Sequence, residues 1–179
     1  TAYAYFLLQA LYIFFLKHWV ILDVFAIAGG FLLRVVAGAV VIDVEISSWL
    51  LICTIFLSLF IALAKRRQEL VAVGEGAAGN RQVLGEYNRD LLDQMISVVT
   101  ASTVLAYALY TQSEETIARF GTRNLIWTVP FVLYGIFRYL YLIHQKGVGE
   151  EPEVILVTDK PLLIATVLWI ATAIWVIYG

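Results

Sequence analysis

Charge is scarce in this chain of 179 residues. Lys, Arg, Asp and Glu make up 15% of it, against roughly 25% in an ordinary soluble domain. Hydrophobic residues make up 61%, and the mean hydropathy is +0.85. A soluble fold of this size cannot hide that much apolar surface, so the composition predicts a polytopic helical membrane protein. The net charge of -2 says nothing about partners, because the charge is gathered in a few short stretches. A single cysteine, Cys53, excludes an internal disulfide and a cysteine-rich metal centre. There is no P-loop, dinucleotide fingerprint, HExxH or nucleophile elbow, and nothing points to nucleic acid. The opening apolar run has no basic n-region and no cleavage site, so it is not expected to be a signal peptide. The chain opens inside the apolar run TAYAYFLLQALYIFFL, like a helix cut open, and is expected to be part of something longer.

What is there is a series of apolar stretches. About 20 apolar residues span a bilayer core, and six segments meet that measure: roughly 2–16, 21–42, 49–64, 91–111, 125–143 and 161–178. The fold class is therefore all-α, one transmembrane bundle over 1–179 with long loops at 65–90 and 144–160. Gly29, Gly30 and Gly38 sit as small residues do in membrane helices. Pro130 is expected to kink the fifth segment, and Pro161 to open the sixth with Thr158 or Asp159 as its cap. Trp19, Trp49 and Trp127 lie at segment ends, as interfacial aromatics do.

Six crossings leave five connections on alternating sides. The odd-numbered connections carry Lys17, then Lys65, Arg66, Arg67, Arg81 and Arg89, then Lys146 and Lys160; the even-numbered ones carry Arg119 and Arg123. That asymmetry predicts odd-numbered loops in the cytoplasm. The two long mixed-charge loops share that side, so a site is expected at the cytoplasmic surface.

The third segment ends in LAKRRQEL. On a continuing helix, Lys65 and Glu69 share a face at i, i+4, and Arg66 is turned away from it. One turn then offers cations for phosphate oxygens and a carboxylate for Mg²⁺ or a sugar hydroxyl. The plainer reading is a basic anchor with a surface Lys–Glu pair. Arg34 lies eleven residues past Asp23 in DVFAIAGGFLLRVVAGAV, about 16 Å along the helix. An arginine there is expected to face protein or a polar cavity, not lipid. Asp23, Gly30, Arg34 and Gly38 fall on one stripe, read either as a cavity lining or as a structural ion pair with small packing residues. Arg138 is nearer a helix end, where snorkelling alone would satisfy it. The stretch HQKGVGEEPEVILVTDKP brings Glu150, Glu151, Glu153 and Asp159 to the surface, held by Mg²⁺ or the basic third loop, or simply solvated. His18 and His144 sit at membrane edges and read as interfacial.

The order LKHWVILDVFAIAGGFLLRVVAGAV, LAKRRQEL, RQVLGEYNRDLL, RYLYLIHQKGVGEEPEVILVTDKPLL resembles the C-terminal two thirds of the decaprenyl-phosphate phosphoribosyltransferase branch of the UbiA superfamily. The resemblance runs along essentially the whole chain. It implies a nine-helix enzyme of which six helices are present here, around a cavity open to the cytoplasm and to lipid. It also implies an acidic motif before residue 1. Most of the superfamily carries a D-x-x-x-D motif where this chain has Lys65, Arg66 and Glu69, a departure that fits the phosphoribosyl-transferring branch.

Carried over, the resemblance implies that Lys17, Lys65 and Arg66, with Arg81 less securely placed, hold donor phosphates. Glu69 would bind Mg²⁺ or ribose. Asp23 and Arg34 would line the cavity, with Arg34 toward the lipid phosphate. Arg138, Glu151 and Asp159 would close the cytoplasmic mouth; Tyr87 receives no role. The implied reaction joins phosphoribosyl diphosphate and a polyprenyl phosphate in a bacterial inner membrane, with Mg²⁺ as cofactor. The rival expectations are a prenyltransferase acting on a small acceptor and a non-enzymatic transporter or scaffold. Association between copies of the chain is left open.

Overall fold

The computed structural model describes residues 5, 8, 10–12, 14–16, 19–44, 46–73, 85–146 and 152–179. Among the described residues, α-helices with described bounds follow in the order α1 (Leu22–Val41), α2 (Ser48–Val73), α3 (Arg89–Gln112), α4 (Glu114–Phe120), α5 (Val129–Tyr141), α6 (Pro152–Thr158) and α7 (Lys160–Tyr178). A 3₁₀ helix over Asn124–Thr128 precedes α5, and a π-helical turn over Leu142–Lys146 follows it. No strand occurs among the described residues. Of the first expected segment, Tyr5, Leu8, Ala10, Leu11, Tyr12 and Phe14 are described and helical.

Among the described residues, five helical stretches are long and apolar enough to cross a membrane: Leu22–Val41, Ser48–Ala72, Arg89–Gln112, Asn124–Gln145 and Lys160–Tyr178. Their outward faces are apolar as well. Along α7, Val167 is 53% exposed and Trp175 71%, as expected of a helix that meets lipid on most sides. The chain is thus an all-helical protein with the length and composition of an integral membrane protein.

Local chemistry sets where the helices start and stop. The Asp159 carboxylate accepts the Leu162 N–H at 3.0 Å and caps α7, with Pro161 in the first turn, where its missing N–H is no loss. Pro130 likewise falls in the first turn of α5. The expected kink is therefore corrected to a helix start. The connection TQSEETIARFGTRN is not plain loop: Ser113 caps α4 through Thr116, acids fill its first turn, and Gly121 closes it at φ 69. At the other boundary α2 runs past 64 to Val73, so KRRQEL is helical and not the start of a loop. The expected loop over 144–160 contains α6.

The chain divides into two compact units, residues 1–100 and 101–179. In the first, α1 packs on α2 through Ala26, Ala28 and Gly30 on one side and Leu59, Leu63 and Ala64 on the other, with Leu92 and Ile96 of α3 also buried. Consecutive helices that pack this way run antiparallel, so the start of α1 lies beside the end of α2. In the second unit α5, α6 and the 3₁₀ turn pack on α7 over Leu125, Ile136, Ile155, Leu162 and Ala165. A polar node is embedded there. The Trp169 indole donates to the Tyr107 hydroxyl at 2.8 Å, which in turn meets the Thr128 hydroxyl at 2.8 Å. Polar groups within an apolar bundle find one another because hydrocarbon offers no alternative partner.

The same Asp159 that caps α7 takes Arg138 in a two-point pair, Nε at 3.0 Å and Nη2 at 2.9 Å. Asp159→Ala removes the cap and leaves the guanidinium unpaired. The lost cap is expected to destabilise the protein by about 1 kcal/mol, read as a lower melting temperature in detergent. Asp159→Asn keeps the capping oxygen and is expected to lose less.

Candidate functional site

Asp23, in the first turn of α1, is 2% exposed, and Arg66 of α2 is 3% exposed. Two opposite charges at such burial must be paired. Arg66 Nε donates to Asp23 Oδ2 at 2.7 Å, and Arg66 Nη1 donates to Glu69 Oε2 at 2.6 Å. The other oxygen of Asp23 is also taken: the Tyr87 hydroxyl donates to Oδ1 at 2.8 Å. That hydroxyl accepts the Ile21 N–H at 2.7 Å. Ile21 has φ 71, a conformation that a β-branched residue adopts only under strain. It precedes α1 with no side-chain cap of its own, so Tyr87 serves the helix entry and its first-turn acid together.

These contacts gather the start of α1, the end of α2 and the segment before α3 at one place. Burial pushes the Tyr87 phenol above its ordinary range. The proton therefore stays on, and the hydroxyl keeps donating to Asp23. Beside this cluster Arg67 pairs with Asp93 of α3, Nε at 2.5 Å and Nη2 at 3.4 Å. Gln68, in the same turn of α2, has both amide atoms buried with no hydrogen-bond partner. Buried amides are nearly always satisfied, so this is a place where a ligand can complete the bonding.

The expected roles shift in detail. Lys65 is exposed and makes no ion pair among the described residues. The inward cation of LAKRRQEL is Arg66, reaching Glu69 at i, i+3, which corrects the expectation that Arg66 turns away. The physical reason is Asp23: its buried carboxylate needs a partner, and Arg66 is the residue of α2 that faces it. Arg34 does not join Asp23. Arg34 and Gly38 are exposed, whereas Asp23 and Gly30 are buried, so the stripe is not uniformly inward. The Arg34 Nη2 donates to the Tyr5 hydroxyl at 2.8 Å, and the guanidinium lies over the Tyr5 and Phe31 rings. It borders a cavity of about 140 Å³ with Leu8, Tyr12, Ala26, Ile27, Gly30 and Phe31. That cavity is mainly apolar, not the polar one expected.

In the second unit Arg138 and Asp159 form the pair described above. Lys17, Arg81 and Glu151 lie outside the described residues. Among the described residues no three His, Cys, Asp or Glu side chains converge as a metal site. Both oxygens of Asp23 are hydrogen-bonded inside the cluster, whereas the Glu69 side chain is 29% exposed.

Sequence reasoning missed Tyr87, Asp93 and Gln68. Nothing in the pattern GEYNRD distinguishes a tyrosine that reaches back across 64 residues to Asp23. Asp93 carried a weak signal, a carboxylate one turn into a membrane-length helix.

Removing one partner from a buried ion pair leaves the other charge stranded. Asp23→Ala is expected to destabilise the protein by about 3–5 kcal/mol, measured as a fall in melting temperature. Asp23→Asn is expected to lose less. The raised Tyr87 pKa has a sign: below the ordinary tyrosine value of about 10 both folded and unfolded chains are protonated and stability is level. Above it only the unfolded chain releases the proton, so stability falls with rising pH. Tyr87→Phe is expected to flatten that fall in pH-dependent melting.

No protein-family model matches the chain. Among curated proteins it is 32% identical over 175 residues to the decaprenyl-phosphate phosphoribosyltransferase of Mycolicibacterium smegmatis, covering 94% of this chain and 54% of that protein. It is 30% identical over 177 residues to the protein of that name from Corynebacterium glutamicum, covering 97% of this chain and 52% of the relative. A third, from Mycobacterium tuberculosis, is 29% identical over 168 residues, covering 94% and 54%. The chain thus spans about half the length of the curated relatives it matches. Along nearly its whole length, it is a homologue of the proteins named decaprenyl-phosphate phosphoribosyltransferase.

Proposed function

We propose that this chain forms part of an integral membrane enzyme that moves 5-phosphoribose from phosphoribosyl diphosphate to a polyprenyl phosphate and releases diphosphate. One observation carries the reading: the relatives that bear this activity in their name align with 94–97% of the chain. The Arg66 cluster supports it chemically. Its Nε and Nη1 are held by carboxylates, which fixes the plane of the guanidinium, and Nη2 makes no bond among the described residues. A planar, preorganised cation of this kind suits a phosphate oxygen. Lys65, exposed one residue earlier, adds a second positive charge for a donor that bears a diphosphate and a 5-phosphate.

In the proposed reaction an oxygen of the lipid phosphate attacks C1 of the ribose as the C1–O bond to diphosphate breaks. The electron pair leaves with the diphosphate. A phosphate monoester loses its second proton with a pKa of about 6, so its attacking oxygen is already ionised and no strong base is required. Arg66 and Lys65 stabilise charge on the leaving group, and Arg34, beside an apolar cavity, fits the lipid phosphate. Glu69 fits as one carboxylate ligand of Mg²⁺, a metal that keeps waters and takes phosphate oxygens for the rest of its shell. When bound there, Mg²⁺ would neutralise part of the diphosphate charge. The uneven distribution of cations between the two sets of connections supports a site at the cytoplasmic surface of a bacterial inner membrane. The meeting of α1's start, α2's end and the segment before α3 supports it too, since it joins the first and third connections.

The test is direct. Full-length protein supplied with phosphoribosyl diphosphate, polyprenyl phosphate and Mg²⁺ is expected to yield lipid-linked phosphoribose and diphosphate. A preparation that instead consumes a prenyl diphosphate, or turns over neither donor, overturns the reading. Lys65→Ala, at an exposed position, is expected to leave the melting temperature unchanged and raise KM for the donor on the order of tenfold, the loss of one charge-assisted contact.

A further inference from the structure

Arg138, Arg67 and Arg66 each pair with an aspartate, and the three pairs differ in one respect. Arg138 grips Asp159 side-on through Nε at 3.0 Å and Nη2 at 2.9 Å. Arg67 holds Asp93 through the same two nitrogens, at 2.5 and 3.4 Å. This fork is the geometry that a carboxylate and a guanidinium prefer. Arg66 breaks the pattern. Its Nε meets Asp23 Oδ2 at 2.7 Å, but its Nη2 does not meet Oδ1. That oxygen accepts the Tyr87 hydroxyl instead, at 2.8 Å.

The hydroxyl is itself fixed. It accepts the N–H of Ile21, the residue with φ 71, and Tyr87 is 4% exposed. Its oxygen therefore stands between the strained entry of α1 and Asp23, with its proton committed to Oδ1. Turning the carboxylate to close the fork would break this hydrogen bond to a fixed hydroxyl, so Tyr87 opposes the turn.

We propose that Tyr87 is a positioning residue that keeps the Nη2 amino group of Arg66 open for a phosphate oxygen by occupying the Asp23 oxygen that would otherwise close on it. The proposal rests on the reading of Arg66 as a phosphate ligand. The same chemistry serves the diphosphate of a soluble donor and the phosphate of a lipid, so the two are tested apart. Tyr87 does not touch the ligand. Its effect passes through Asp23 and Arg66, and it is absent once Asp23 carries no charge. That dependence separates positioning from general support of the fold.

Full-length protein in lipid nanodiscs is titrated separately with inorganic diphosphate, phosphoribosyl diphosphate and polyprenyl phosphate, with binding read by calorimetry. Tyr87→Phe is expected to weaken one class of ligand on the order of tenfold, as expected for loss of a hydrogen bond to a charged group; the class that weakens identifies the ligand of Arg66. In an Asp23→Asn background the same change is expected to alter affinity by less than about twofold, because the two residues then act as one unit. An undiminished affinity in Tyr87→Phe, or an equal loss in both backgrounds, overturns the proposal. So does a wild-type protein that binds none of the three ligands. A protein that binds diphosphate and loses it in Tyr87→Phe, yet transfers no phosphoribose, supports the role of Tyr87 and removes the proposed reaction. Should Tyr87→Phe not fold, Arg66→Lys, which has no Nη2 to keep open, decides: it is expected to weaken one class of ligand on the order of tenfold, and undiminished affinity for all three ligands overturns the idea.

Discussion

A guanidinium that is 3% exposed in a protein with the composition of a membrane bundle needs negative partners. For Arg66 those partners are Asp23 and Glu69, and the organisation of the first unit follows from them. Asp23 lies in the first turn of α1, where the positive end of the helix dipole favours a carboxylate. Arg66 lies well along α2. Joining them sets the start of one helix beside the far part of the next. Tyr87 then ties the segment before α3 to the same carboxylate. Desolvating these groups is expensive, and an apolar cluster of equal volume would often be as stable or more so. The arrangement is therefore poorly explained as a stabilising device alone. It is better explained by the one thing an apolar cluster lacks, a positive group held rigidly at the edge of the unit.

Membrane surroundings sharpen this argument. Hydrocarbon supplies no hydrogen bonds, so each polar group within the span must find protein or reach the interface. The described residues show three solutions. Arg66 is enclosed by carboxylates. Arg138 is closed in a two-point pair by the same Asp159 that caps the following helix. Arg34 stacks on Tyr5 and Phe31 and hydrogen-bonds the Tyr5 hydroxyl, keeping its exposed position beside an apolar cavity. Only the last is satisfied without a carboxylate among the described residues. On the proposed reading this division has a use: a positive charge without a fixed anion beside apolar walls suits the phosphate of a lipid.

Much of the fold was legible because its signals are local. The apolar runs, Pro161 with Asp159, and the spacing of the segments all depend on nearby residues. The end of α2 was misplaced for a related reason. Hydropathy reports where the membrane stops, and nothing in KRRQEL opposes helix, so the helix continues to Val73. Helix α4 was missed although Ser113, its acidic first turn and Gly121 announce it, because seven residues of mixed polarity make no long apolar span. The site was half legible. Asp23, Arg66 and Glu69 stood out by type and place, but which cation turned inward did not. Helical periodicity fixes the angle between Lys65 and Arg66 without saying which of them faces the neighbouring helix. Asp23 decides that, through a contact 43 residues away.

Tyr87 is the extreme of this limit, and it shows where sequence reading has to stop. Its phenol matters only because three separate conditions meet: a backbone N–H offered by a strained Ile21, a carboxylate with one oxygen already committed, and an arginine that would otherwise take the second. None of these is a property of the segment in which Tyr87 lies. A tyrosine at that position in a chain without Asp23 would be an ordinary loop aromatic. With Asp23 and Arg66 in place, the hydroxyl governs how a buried pair shares its hydrogen bonds. On the proposed reading, a single oxygen thereby separates a closed ion pair, which serves stability alone, from an open one that retains a donor for a ligand.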